Sequence, residues 1–442
     1  MKNYSIWKDN FKLKKYPKLD KNIKTNILVI GGGITGASCF YYLKNSNLNV
    51  VLVEQGKIGI STTSNSTGKL TFMQNDLIDK IRNNYSDDVA KKYINSQIDA
   101  INKVCDIVKK ESINCDLKKV SSIIYTNKDN EINKVKRLKE FFVNCGINVY
   151  ETSNKIVDSK YMIACDNTYY FHPLKFVYGL IKDFDNIYED TSIKKIKYIN
   201  DYYHCYTDKY VIEAKKIVIA SHYPYFNIPY FFPIKGTCEK SYLCASKKKI
   251  DNISLISYSY PFVSIRNYKD YLIYLSNSHA ISKDNDDKEN FNELIKKVHD
   301  LKLEPEYLWS NIDIMTNDGI PYIGKIKDNM FIATGYNTWG LANSVLAGSI
   351  INDIILNKEN KYIDLFNPKR CNPSMVLGSF NALSKSIGGY ISSIKNSAGK
   401  TCPHMGCKLL YNEIENTYDC PCHGSRFKNN KPIMAPANKE II

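Results

Sequence analysis

A strand–glycine loop–helix–strand unit near the start constrains the fold of this chain more than any other feature. Residues 26–30 (Asn-Ile-Leu-Val-Ile) read as a buried strand. Gly31-Gly32-Gly33-Ile34-Thr35-Gly36 follows, residues 37–43 continue as an apolar helix, and residues 49–53 form a second strand ending at Glu54. The loop has the spacing G-x-G-x-x-G. Gly31 permits the tight turn, Gly33 lets backbone approach a pyrophosphate, and Gly36 lets helix and strand pack closely. Free N–H groups at the helix start, around Ile34 and Thr35, suit phosphate oxygens. Glu54 stands 18 residues after Gly36, where a carboxylate accepts ribose hydroxyls and repels a 2′-phosphate. A lone glycine loop is weak evidence. The strand before it, the helix after it and the acid at the expected distance make it a dinucleotide site.

Other segments favour FAD over NAD. A small, hydroxyl-rich stretch, residues 59–69, follows the acidic strand and offers Thr62, Thr63, Ser66 and Lys69 along a pyrophosphate and a flavin edge. Residues 217–221 read as a later strand returning to the nucleotide. Gly335-Tyr336, with Trp339-Gly340 before a helix over 341–356, brings backbone N–H groups toward a flavin carbonyl end. The periodicity of Ala90, Ile94, Ile98, Ile101, Cys105 and Val108 predicts a helix over 87–110, with Ser86 as its N-cap.

In their order along the chain, these segments resemble the D-amino-acid oxidase and glycine oxidase superfamily, in its γ-glutamylputrescine-oxidase-like branch. Further matching stretches are residues 171–174, 220–224, 309–313 and 318–324, so the resemblance covers roughly residues 20–370. It implies an α/β fold: a Rossmann-like FAD-binding domain interleaved with an α+β substrate domain. The FAD-binding domain is expected in residues 22–75, 151–235 (with a crossover to the substrate domain) and 309–370, and the substrate domain in 76–150 and 236–308. The implied chemistry is oxidation of a C–N bond in an amine or amino acid by hydride transfer to flavin. Amino-acid oxidases of this group carry an Arg-Pro before the Asp-Gly-x-Pro segment; here residues 311–316 hold no Arg. Asp313 is then the candidate for attracting a cationic amine, Arg266 the candidate carboxylate clamp, and His279 a candidate on the substrate side. A surface or structural ion pair is the alternative role for both Asp313 and Arg266, and a satisfied structural histidine that for His279. His172 and His222, beside or near prolines, are expected to shape turns.

The chain's 13 Cys are unevenly spread. Nine lie between Cys39 and Cys371 and read as bystanders; four crowd into residues 402–422 together with His404 and His423. Two Cys-rich clusters leave zinc open as an alternative. The order, however, is C-x-H-x-x-C from Cys402 to Cys407, then C-x-C-H from Cys420 to His423, which resembles the two boxes of a Rieske [2Fe–2S] protein. That resemblance implies Cys402 and Cys420 on one iron, His404 and His423 on the other, and a disulfide between Cys407 and Cys422. The Pro-rich closing segment of the family is recognisable in residues 432–438. An all-β Rieske module is therefore expected over 390–442, after a linker at 371–389. Only 31 residues separate Arg370 from Cys402, so the strands before the first box should be shortened, with residues 390–394 supplying one. High-potential members carry Ser-x-Tyr after the second box; Ser425-Arg426-Phe427 lacks the second hydroxyl, which implies a lower potential. A Rieske oxygenase is excluded. The five other His (172, 204, 222, 279, 299) include no pair at three- or four-residue spacing for a mononuclear iron.

The net charge of +16 is carried by Lys scattered among Asp and Glu in a Lys-, Asn-, Ile- and Tyr-rich chain of 442 residues. AT-rich codons produce such a composition, so nucleic acid is not an expected partner. No run of 18 apolar residues predicts a membrane span, and the Lys-rich residues 1–22 lack the apolar core of a secretory signal, so the expected location is cytoplasmic. The whole reads as a flavin dehydrogenase fused to its own electron outlet, serving an external acceptor of protein or quinone type. The alternatives are reversed electron flow and an electron-transfer or redox-sensing protein without amine turnover.

Overall fold

The computed structural model describes residues 1–44, 46–224, 232–250, 252–282, 286–395 and 399–441. Its first sheet has eight strands. Their order is Tyr322–Lys327, Met330–Thr334, Val211–Ile219, Ile23–Ile30, Val50–Val53 and Ile187–Tyr188, with the hairpin Lys195–Ile199/Tyr202–Tyr206 added to the start of Val211–Ile219. The central pairs are parallel: Leu28 lies opposite Val51 on one side and Ile217 on the other. Where they pair, residues 27–30, 50–53 and 217–219 are apolar at every position because each alternate set fills a different core. Ile27 and Val29 pack with the helices Ile34–Lys44 and Gly340–Ile355, while Leu28 and Ile30 pack with Ile193, Tyr203 and Met330. The two helices approach closely at Gly348, where a Cβ would sit 2.7 Å from the Ser38 backbone.

The second sheet has nine strands, mostly antiparallel. It runs Pro305–Thr316, Gly236–Lys247, Tyr271–Ala280, Ser264–Tyr268, Ser254–Ser257, Lys118–Thr126, Tyr161–Tyr170 and Lys69–Leu70, with Tyr150–Glu151 beside Tyr161–Tyr170. The helix Asp87–Lys110 spans the range its periodicity predicts, and the Ser86 hydroxyl accepts from Val89 N–H. Both sheets draw strands from several separated stretches of chain. Only long-range pairing therefore forms the cleft that holds the site.

A third sheet of four short antiparallel strands, Leu410–Asn412, Thr417–Asp419, Arg426–Lys428 and Lys431–Met434, forms the C-terminal module. Its core is small and built around Cys402, Cys407, Leu409, Cys420 and Phe427. One correction concerns the approach to this module. Residues expected as a linker (371–389) and as a strand (390–394) form a single helix, Pro373–Lys395. Gly and Ser supply nine of its 23 residues and mimic a linker. Yet Leu377, Phe380, Leu383, Ile387, Tyr390 and Ile394 recur at three- and four-residue steps, a helical period, and Pro373 suits a first turn, where no N–H is needed.

Candidate functional site

The glycine loop is held as its spacing requires. Gly31 has φ +110, and a Cβ there would lie 2.6 Å from the Ala220 carbonyl oxygen; only glycine lets the two strand ends approach. A Cβ on Gly36 would meet the Gly31 carbonyl oxygen at 1.7 Å, so Gly36 seats the helix on the loop. Glu54 accepts from Gly32 N–H at 2.7 Å and Gly56 N–H at 2.8 Å, and burial pushes its carboxyl up. Thr63 Oγ1 accepts from Ile34 N–H at 3.0 Å, tying the hydroxyl-rich stretch to the helix start.

These groups line one cleft, which encloses about 1610 Å³ including the open solvent at its mouth. Gly31, Gly33, Ile34, Thr35, Glu54, Thr62, Thr63, Ser66, Lys69, Gly335, Tyr336, Trp339 and Gly340 all face it; Gly36 does not. The helix Gly340–Ile355 starts at the cleft wall, so its free N–H groups lie there. The Thr62 hydroxyl is buried without a partner. Lys69 Nζ donates to the Leu255 carbonyl at 2.5 Å, and burial lowers its pKa well below the usual lysine range. A tight glycine loop, an acid at the second strand end and an unpaired hydroxyl form a donor and acceptor set that fits FAD.

Of the three substrate-side candidates, only Asp313 reaches the cleft. It is enclosed by protein except toward that space. Burial pushes its carboxyl up to about 7; the bond from Asn311 Nδ2 at 3.1 Å pulls the other way, and nearby Glu239 adds to the rise. Arg266 is fully buried outside the cleft, with its guanidinium over the rings of Tyr170 (4.1 Å) and Trp7 (5.2 Å). Burial lowers it to about 9, so it is no carboxylate clamp. Ser264, two residues earlier on the same strand face, does line the cleft; at Arg266 the N-terminal segment brings Trp7 over the strand instead. His279 also turns away, stacking on Tyr242 with Nδ1 3.1 Å from the Asn277 carbonyl. The cause is an irregularity at Asn277 (φ +57), which resets the strand's alternation so that Leu275 and Ser278 face the cleft.

Two other histidines differ in role. His172 N-caps the helix Pro173–Leu180 and shapes a turn. His222, expected to do the same, also lines the cleft; its Nε2 is buried without a partner, and burial lowers its pKa to about 4, leaving it neutral. Its proximity to Pro224 concealed this position.

The second centre lies in the C-terminal module. A disulfide joins Cys407 and Cys422. The buried Cys402 and Cys420 thiols hydrogen-bond each other, which holds Cys402 below the usual thiol range and Cys420 above it. The rings of His404 and His423 are 5.2 Å apart and perpendicular. Burial pulls His404 to about 3 and His423 to about 4, so both are neutral, as ligation requires. His423 Nδ1 is buried without a hydrogen-bond partner. Two thiols, two neutral imidazoles and one orphaned ring nitrogen form a donor set that fits a Rieske cluster. Ser425 Oγ accepts from Ala437 N–H at 3.0 Å, and Phe427 is fully buried.

The two centres share walls. Ile433, Met434 and Ala435 of the C-terminal module line the cleft together with the glycine loop. Tyr223, next to His222, packs edge-on against the His423 ring at 5.6 Å. Cys238, expected as a bystander, donates its thiol to the His423 carbonyl at 3.6 Å. A buried ionic network locks the junction: Lys240 Nζ lies 2.6 Å from Asp419 and 2.7 Å from Asp287, and Arg426 bonds Asp419 and Glu415. No residue spacing in the sequence predicts the contacts that cross the junction, because Cys238 and His423 lie 185 residues apart and Lys240 and Asp419 lie 179 apart.

Comparison with known proteins agrees with both halves. Residues 26–354 match the FAD dependent oxidoreductase family, and residues 393–441 match the Rieske [2Fe-2S] domain. The chain is 27% identical to the putative Rieske 2Fe-2S iron-sulfur protein YhfW of Bacillus subtilis, over 99% of this chain and 96% of that protein. It is 21% identical to gamma-glutamylputrescine oxidoreductase of Escherichia coli, over 78% of this chain and 87% of that one. Glycine oxidase from Geobacillus kaustophilus superposes with a TM-score of 0.67 at 16% identity, covering 79% of this chain and all of that one.

Proposed function

The chain belongs to the FAD dependent oxidoreductase family and carries a Rieske [2Fe-2S] domain, and from that premise we propose that it is a dehydrogenase oxidising the C–N bond of an amine or amino acid. Its electrons leave through its own iron–sulfur centre to an external acceptor, protein or quinone-type. When bound, FAD accepts a hydride and the [2Fe–2S] cluster carries electrons one at a time.

The chain's own residues would divide the remaining work. The glycine loop and the start of helix Ile34–Lys44 would hold phosphate oxygens through backbone N–H groups. Glu54 fixes that loop and keeps lone pairs for a ribose. Asp313, with its pKa near 7, is ionised in mildly alkaline solution. There it attracts a substrate ammonium and takes its proton, leaving the neutral amine that gives up hydride. Asn311 Nδ2 holds Asp313 in place. His222, uncharged, offers a hydrogen bond without repelling the ammonium. Phe262, Leu275, Ile314 and Met434 add apolar wall that limits water.

The carrying observation is the shared wall: residues of the Rieske module line the same cleft as the glycine loop. An oxidase delivering electrons to O₂ has no need of such a junction. The names of its relatives, gamma-glutamylputrescine oxidoreductase and glycine oxidase, support the substrate class. The test is anaerobic mixing of the holoprotein with a panel of amines and amino acids, following flavin absorbance. Bleaching by at least one member is expected. Bleaching only by an added reductant would favour an electron-transfer or redox-sensing role.

A further inference from the structure

The helix Pro373–Lys395 is amphipathic in the wrong direction. Its protein-facing side carries small residues. Ala382 and Ser393 are buried, a Cβ on Gly378 would lie 2.5 Å from Asn317 Cβ, and one on Gly389 would lie 2.5 Å from the Pro421 carbonyl. The large apolar side chains lie on the opposite face. Leu377 and Phe380 are 74% and 69% exposed, and Ile387, Tyr390, Ile391 and Ile394 are exposed along the same stripe. A surface helix ordinarily buries that stripe, and a contiguous exposed apolar face of this length marks an interaction site.

Charge selects the occupant. Residues 373–412 hold four Lys (385, 395, 400, 408) and neither Asp nor Glu; Lys385 lies on the protein-facing side beside Cys422 and His423 and is not available to an outside partner. Lys400 Nζ donates to Asn430 Oδ1 and Lys408 Nζ to Thr401 Oγ1, neither of them a carboxylate. A second copy would bring the same lysines against one another across a two-fold axis. Anionic lipid meets both features at once: apolar side chains enter the acyl boundary, and lysines meet headgroup phosphates. No described helix is long and apolar enough to cross a membrane, so the geometry is that of a helix lying on the surface.

We propose that the helix Pro373–Lys395 docks this protein onto an anionic lipid surface. The helix contacts the cluster module, where Ser393 Oγ accepts from Lys408 N–H just after the first Cys/His box. Docking would hold that box beside the bilayer. The idea is independent of amine turnover, and flavin bleaching reports on the latter separately.

The test is co-sedimentation of the full-length holoprotein with phosphatidylcholine vesicles with or without phosphatidylglycerol. Binding is expected to require phosphatidylglycerol, to weaken with salt, and to fall about tenfold or more in Leu377→Ser/Phe380→Ser/Ile391→Ser with flavin and cluster spectra unchanged. Should that variant fail to fold, Lys400→Glu/Lys408→Glu is expected to weaken binding severalfold. Three results would overturn the proposal: no binding to either vesicle, binding indifferent to these substitutions, or a stable dimer in solution that shields the helix.

Discussion

Asp313→Asn should make the protein more stable and less active, each in a pH-dependent way. The carboxyl is pushed from an ordinary 3.8 up to about 7 by burial, so the folded chain holds its proton where the unfolded chain releases it. That difference is worth about 4 kcal/mol, an upper bound because water in the cleft partly solvates the group. Below about pH 4 both states are protonated and Asp313 has no effect. As pH rises from 4 to 7 the folded state loses about 4 kcal/mol relative to the unfolded state, and it does not regain it above 7. Asparagine does not titrate. Urea denaturation of the holoprotein should show the variant equal to wild type at about pH 4 and up to about 4 kcal/mol more stable at pH 8. Turnover should fall by about 10²–10⁴, and the rise in rate through pH 7 should disappear. A stability difference independent of pH, or wild-type activity with an intact rise through pH 7, would refute the assignment of Asp313.

Lys240→Met removes a buried ammonium lying between Asp287 and Asp419, a loss of about 3–5 kcal/mol. The Rieske EPR signal should disappear at a lower temperature than in wild type. Although burial opposes it, Arg426 and Lys240 hold Asp419 below the usual carboxylate range. Its stabilising contribution is therefore full at neutral pH and lost in acid, so the variant's deficit should narrow as pH falls below about 4. Gly31→Ala places a Cβ 2.6 Å from the Ala220 carbonyl oxygen at φ +110, and FAD content after purification should drop about tenfold or more. Phe427→Tyr adds a hydroxyl in the buried core around Cys402 and Cys420. One new hydrogen bond to the reduced cluster, worth about 1 kcal/mol, should raise the midpoint potential by about 40 mV; an unchanged or lower potential would count against Phe427 as a determinant.

What was legible in the sequence is what backbone geometry dictates locally. Gly31, Gly33 and Gly36 are spaced by the turn they must make, and the Cys and His of the two boxes by the group they would hold. The inner parts of the parallel strands, such as residues 27–30 and 50–53, announced themselves as short apolar runs because both their faces are covered. Features set by distant chain were hidden. Arg266 would be an open candidate but for Trp7, which comes over it from the N-terminus. His279 would face the cleft but for the irregularity at Asn277. Tyr223 against His423, and Met434 in the cleft wall, join segments with no common sequence signal. The helix Pro373–Lys395 was hidden by composition, since its period is visible once its Gly and Ser are not taken for a linker.

The central claim is that electrons from a substrate in the cleft reach the cluster within one chain. Rapid mixing under anaerobic conditions with a bleaching amine, followed by freeze-quenching and EPR, tests it directly. The account predicts a Rieske signal that rises as flavin absorbance falls, to one cluster per chain, at a rate independent of protein concentration. Full flavin bleaching with the cluster still oxidised, or a cluster signal whose rate depends on protein concentration, would contradict it.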